Sequence, residues 1–333
     1  WQYDESNSQY VAPSAASVSE EIGTELWAYI PKTLLPHLKW LPRRDYTHVY
    51  FVDLPPKVVD AQIFSSLSGD GVHINGWGTV LIGGLRMGGK EISVTDDFDD
   101  DPNTADTTEI FTPSYYAIDI TDPRNPQLLW EKQFTGMDFS WSQPNIIKVD
   151  DEWFAVIGSG PDSYDGSSSN TGKVFIVDLT TGTPYTDGTN DWRFELPEIQ
   201  AFMGSAVSLD YGLNYNVDSV YIGQTYDVNT NANQDPDWLG SMYRITVPWA
   251  CESSCNTSLY GTVLEYDTDS DGSPDCECSY NSDPTYWSIG KFFDSPAPIT
   301  TAGSLSAEFS KRIWLYFGTC RYLSQDDKQS LIH

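Results

Sequence analysis

Histidine is scarce in this chain. The four present, His37, His48, His73 and His333, include no pair at metal-binding spacing, so the helical His-Glu-x-x-His zinc chemistry has no ligands here. A Gly-x-Ser-x-Gly elbow is missing. So is a phosphate-cradling loop, because Gly83, Gly84, Gly88 and Gly89 stand at strand ends and do not lead into a helix. No catalytic residue is assigned, and the chain reads as a non-enzyme. Basic residues are few: 18 Lys and Arg stand against 48 Asp and Glu, a formal net charge of -30. Such a surface repels nucleic-acid phosphates and anionic lipid heads, which makes both poor partners, and no nucleic-acid partner is expected. It suits cation binding, or plain solubility in salty water. No run of 18 apolar residues occurs, so no helical membrane span is predicted. The first residue is Trp1 and no signal peptide precedes it, so the chain reads as a processed or partial product.

Cysteine is also sparse, but four of the five crowd together. Cys251, Cys255, Cys276 and Cys278 lie in one polar, loop-like stretch. Two disulfides are the first reading, with a zinc knot or free thiols as alternatives. Zinc half-sites favour Cys-x-x-Cys, whereas these are Cys-x-x-x-Cys and Cys-x-Cys. Disulfides imply an oxidising, extracellular compartment. Cys320 is left over, and its apolar neighbours (Trp314 to Phe317) predict a buried thiol.

Aromatic and turn residues are what the chain has in abundance. Twelve Trp, 20 Tyr and 14 Phe accompany 25 Gly and 20 Pro, a composition of short strands and frequent turns. Strands are predicted over 144–150, 153–158, 173–179 and 192–196, in the order strand, turn, strand, loop, strand, turn, strand. The second-strand pattern, an apolar run ending in Gly, recurs at Val80–Gly83, Val156–Gly158, Val220–Gly223 and Leu315–Gly318. The third recurs at Tyr115–Ile120, Val174–Asp178 and Met242–Ile245. Trp130, Trp192 and Trp287 mark the fourth. Antiparallel four-stranded units repeating at about 50 residues indicate an all-β β-propeller of quinoprotein-like blades. A β-sandwich is the alternative. Complete units fall at 44–139, 140–200 and 201–294, while 295–333 supplies two strands and 22–31 the tail of an earlier unit. One domain over 1–333 is predicted, an incomplete or irregular ring. It carries an acidic insertion at 88–114 and a Cys- and Asp-rich insertion at 248–286.

The second insertion holds the most specific motif. Asp267, Asp269, Asp271 and Asp275 occupy positions 1, 3, 5 and 9 of a loop, with Gly272 at position 6 for the bend and the Ser273 carbonyl at position 7. Alternating carboxylates and one carbonyl are the hard oxygen donors that calcium (Ca2+) takes. Cys278 stands at position 12, where an EF-hand has a bidentate Glu, and the flanks read as strand and cysteine cluster instead of helices. A weaker, extracellular-type calcium loop is therefore predicted. The run Asp96, Asp97, Asp99, Asp100 and Asp101 reads as a solvated loop, with a second ion as the alternative. Asp162 and Asp165 are a weaker candidate again.

Taken in order, several segments resemble the C-terminal propeller of the PilY family of type IV pilus tip proteins. They are Glu25–Pro31, His48–Asp53, Gly76–Lys90, Tyr116–Pro123 with Leu128–Glu131, Trp153–Gly160 and Trp314–Leu323. The resemblance implies a modified seven-bladed propeller at the pilus tip, outside the cell, supporting pilus assembly and attachment to host or abiotic surfaces. It implies minor pilins or the pilus tip complex as partners. It also implies calcium bound through an Asp-x-Asp-x-Asp-x-x-x-Asp loop, matched here by Asp267, Asp269, Asp271 and Asp275. This chain departs from the family at Leu54 and Cys320, where Gly is usual, and at the intervening residues 91–114. The family's N-terminal adhesion domain is not in the chain, and there is no Arg-Gly-Asp tripeptide. Two other readings compete: a quinoprotein-like dehydrogenase, from the blade motif Asp178–Gly182, and a secreted propeller that binds glycans or proteins.

Overall fold

The computed structural model describes residues 2–4, 9–11, 24–65, 71–98, 105–186, 188–229, 236–251, 278–307, 312–323 and 327. A small hairpin pairs β1 (Gln2–Asp4) with β2 (Gln9–Val11). Three antiparallel four-stranded sheets follow, each a blade with its strands in simple up-and-down order. The first contains β3 (Lys57–Gln62), β4 (Trp77–Gly84), β7 (Ser114–Asp119) and β8 (Gln127–Gln133), with β5 (Ile92–Asp96) and β6 (Thr107–Phe111) as a side hairpin. The second is β9 (Asn145–Val149), β10 (Glu152–Gly158), β11 (Lys173–Asp178) and β12 (Phe194–Glu195). The third is β13 (Ala201–Leu209), β14 (Ser219–Asp227), β15 (Trp238–Thr246) and β18 (Ser288–Ser295). Between its last two strands, β16 (Trp249–Cys251) pairs β17 (Cys278–Tyr280). Finally β19 (Ser304–Ala307) pairs β20 (Ile313–Tyr316). The repeating sheets are propeller blades, as the sequence predicts.

Period-two side-chain alternation explains how the blades join. Ala155 and Ile157 of β10, with Phe175 and Val177 of β11, face the first blade and meet Val80, Ile82 and Trp130. Their neighbours Phe154, Val156, Val174 and Ile176 face the third blade and meet Val220, Ile222 and Ile245. Both faces of the middle blade are thus covered, which is why its inner strands are continuous apolar runs. In β14 the same alternation sends Tyr221 the other way, towards Ile299, Leu305 and Leu315.

The turn after β11 locks the first join. Asp178 Oδ1 accepts from the Thr181 amide (2.7 Å) and hydroxyl (2.8 Å). That holds Gly182 at φ 69°, in the left-handed region open to glycine. Trp130 packs on the bare Gly182 backbone and donates its indole N–H to the Leu179 carbonyl at 2.8 Å. The second join uses Arg193, which donates to the carbonyls of Pro284 (2.7 Å) and Thr285 (2.6 Å). Trp287 meets Phe154 edge-on there. A C-terminal strap returns across the blades: buried Arg321 pairs with Asp327, donates to the Asp165 carbonyl and lies 4.1 Å over the Trp238 ring.

Two expectations are corrected. The solvated loop expected at the acidic run begins as the paired strand β5, with Asp96 opposite Thr107 and the Thr95 and Thr108 hydroxyls 2.8 Å apart. Asp99, Asp100 and Asp101 lie outside the described residues. Cys320 is a free, exposed thiol, not a buried one. It borders a sheet of two described strands in which Trp314 and Tyr316 are themselves exposed, so its apolar neighbours do not cover it.

Candidate functional site

Asp267, Asp269, Asp271, Ser273, Asp275, Cys255 and Cys276 lie outside the described residues. What is described is the root from which that segment springs. Thr246 of β15 pairs Ser288 of β18, and the Val247 amide donates to the Asp218 carbonyl (3.1 Å). The Asn281 amide donates to the Pro248 carbonyl at 2.9 Å, drawing the two chain segments together just outside the blade. β16 and β17 then pair with Trp249 opposite Tyr280 and Cys251 opposite Cys278. Residues 252–277 are carried beyond this short ladder, between the third and fourth strands of the blade.

The root is braced by carboxylates. Tyr280 donates its hydroxyl to Asp218 Oδ1 at 2.8 Å, and burial, with Asp218 adding to it, pushes the phenol up to about 12. Asp218 Oδ2 accepts from the Tyr211 amide (2.6 Å), and Asp210 accepts from the amides of Asn214 and Tyr215. The Trp287 indole N–H donates to the Asn281 carbonyl at 2.8 Å. These bonds tie the stem to the blade.

A second polar site includes Asp162, one of the weaker sequence candidates. A cleft of about 680 Å³ lies between the first two blades, lined among others by Lys90, Gln133, Asp138 and Asp162. Asp138 sits at φ 57° and its Oδ2 accepts from the Asn170 side-chain Nδ2 at 3.0 Å. Burial, then the neighbouring Asp162 carboxylate, raises its carboxyl to about 6. Asp162 itself accepts from Ser169, through the amide at 2.8 Å and the hydroxyl at 2.5 Å. Asp165 is held likewise by Ser167. The cleft can therefore bind and release a proton near pH 6. Among the described residues no group of three His, Cys, Asp or Glu is placed to hold a metal. His73, 2.9 Å from Asp119 and stacked on Phe64, links a loop to the first blade. The sequence offers only Asp162, as a weak candidate, because Lys90, Asp138 and Asp162 are 24 to 72 positions apart and meet only through the blade order.

A solved structure, the C-terminal domain of Pseudomonas aeruginosa PilY1, matches 92% of this chain with a TM-score of 0.54 at 20% identity. The chain resembles the PilY1 C-terminal domain. A type IV pilus biogenesis factor PilY1 homolog of Xylella fastidiosa is 24% identical over 313 residues, 92% of this chain. Type IV pilus biogenesis factor PilY1 of Pseudomonas aeruginosa is 30% identical over 167 residues, 48% of the chain. No family model matches. The chain spans half of the solved PilY1 domain, and 18% and 11% of the two curated relatives. The PilY resemblance read from ordered motifs is borne out. Among the described residues no helix is long and apolar enough to cross a membrane.

Proposed function

We propose that this chain is the propeller part of a calcium-binding type IV pilus tip component that supports pilus assembly and surface attachment. The observation that carries the reading is similarity over 92% of the chain to a protein named a type IV pilus biogenesis factor homolog. On this reading the protein is displayed outside the cell at the pilus tip, non-enzymatic, and in contact with minor pilins and a host or abiotic surface. Deleting the gene and counting filaments sheared from the cell surface tests it. Unchanged piliation and attachment would overturn the pilus reading.

Calcium rests on the donor set. Four Asp carboxylates and the Ser273 carbonyl are all hard oxygens, the chemistry calcium selects. Five protein donors leave about one to three of calcium's six to eight positions for water, so the site is expected to be weak enough to respond to environmental calcium. Calorimetric titration of the full chain should give a saturable heat that Asp267→Asn with Asp269→Asn abolishes. A null titration, together with a melting temperature indifferent to chelator, would remove calcium from the proposal.

A further inference from the structure

The register of the short ladder makes a prediction that cysteine spacing cannot. Four cysteines allow three pairings, and spacing alone favours none of them. In β16 and β17, however, Cys251 is the direct antiparallel partner of Cys278. Opposed residues in such a ladder lie about 4.5–5.5 Å apart at Cα. A disulfide bridges Cα atoms about 4.4–6.8 Å apart. We infer that Cys251 and Cys278 form a cross-strand disulfide that closes the acidic 252–277 segment at its base.

Two independent anchors hold this register. Two pairs back from the cysteines towards the blade, Trp249 stands opposite Tyr280, and Tyr280 is tied to Asp218 by its hydroxyl. Beyond that, the Asn281 amide is bonded to the Pro248 carbonyl. A slip that separated Cys251 from Cys278 would break both bonds and move every strand residue to the opposite face. The free thiol Cys320 is bridged through its backbone to Ile299 in a different part of the fold.

The segment also needs closing. Residues 252–277 carry seven carboxylates (Glu252, Glu265, Asp267, Asp269, Asp271, Asp275 and Glu277) and no basic residue. Their mutual repulsion favours an open chain, which a covalent base opposes. The bond forms by thiol–disulfide exchange with a donor disulfide. One cysteine thiolate attacks the donor and releases one donor thiol, and the second cysteine thiolate displaces the other. The Cys251–Cys278 bond thus replaces the donor's, and two electrons and two protons pass to the donor. The inference stands whether or not the segment takes calcium.

The sequence supplies its own test. Glu252, Glu265 and Glu277 separate the four cysteines, so a glutamyl endopeptidase releases each on its own peptide. The full chain is equilibrated in oxidising glutathione, alkylated, digested without reduction and read by mass spectrometry. A peptide ending at Cys251-Glu252 linked to one beginning at Cys278 is expected. In the Cys255→Ser, Cys276→Ser double variant, halves nicked within 252–277 should remain joined on a non-reducing gel and separate with reductant. In Cys251→Ser, alkylation should newly label Cys278 and leave Cys255 and Cys276 unlabelled. Linkage of Cys251 to Cys255 or Cys276, five titratable thiols in the oxidised protein, or one zinc per chain would each overturn the inference.

Discussion

A Cβ added to Gly182 would stand 2.6 Å from Cδ2 of Trp130, and the backbone there has φ 69°. Gly182→Ala therefore meets both a backbone penalty and a clash at the join between the first two blades. A loss of about 2–3 kcal/mol is expected, measured as a lower denaturant midpoint at unchanged slope. Asp138 should act in the opposite direction. Its carboxyl is raised from 3.8 to about 6 by burial and by Asp162, so the folded state favours the protonated form. Its contribution is fully present below about pH 3.8 and lost as pH rises through about 6. Asn suits φ 57° and can still accept from Asn170. Asp138→Asn should raise stability at pH 8 by about 1–2 kcal/mol, allowing for solvent screening, with the gain fading towards pH 4. Thermal melts of both proteins across that range check the sign.

At the scale of elements, the exposed Cys320 gives a direct measurement. In the native protein it should react with a thiol reagent at a rate close to that of the denatured chain, without loss of structure. Protection by more than tenfold would restore the buried reading. That reading failed for a physical reason: an apolar run predicts burial only where another layer covers it, and β19 and β20 form a sheet of two described strands. The middle blade was legible because both of its faces are covered. Strands predicted at 144–150, 153–158 and 173–179 occur at Asn145–Val149, Glu152–Gly158 and Lys173–Asp178. The hairpin of β5 and β6 was not, since most of its residues face water and alternation carries little signal there. The segment Lys32–Trp40 forms a short 3₁₀ helix containing Pro36, with no helix-length periodicity to mark it. The calcium motif is plain in sequence because its donors are local. The Asp138 cleft is not, because its residues are assembled by topology.

For the whole molecule, a net charge of -30 sets the response to salt. Self-repulsion opposes the compact state and is screened within about 10 Å at 0.1 M ionic strength. The melting temperature should rise between about 20 mM and 500 mM NaCl, and a fall would show that specific ion pairs outweigh the general repulsion. The same charge leaves little for a phosphate-rich partner to bind. The stem at Pro248 and Asn281 has a further consequence. The third blade's hydrogen bonding is complete before the chain departs from it, so whatever lies past β16 and β17 is free to vary in length at slight cost, since closure entropy grows only with the logarithm of loop size. The joint works as a socket, in which one cargo can be exchanged for another while the blades stay as they were. Replacing residues 252–277 with a short Gly-Ser turn, or with a foreign peptide, should leave the blade's melting temperature within a few degrees of the parent. An engineered epitope would be displayed there with little disturbance.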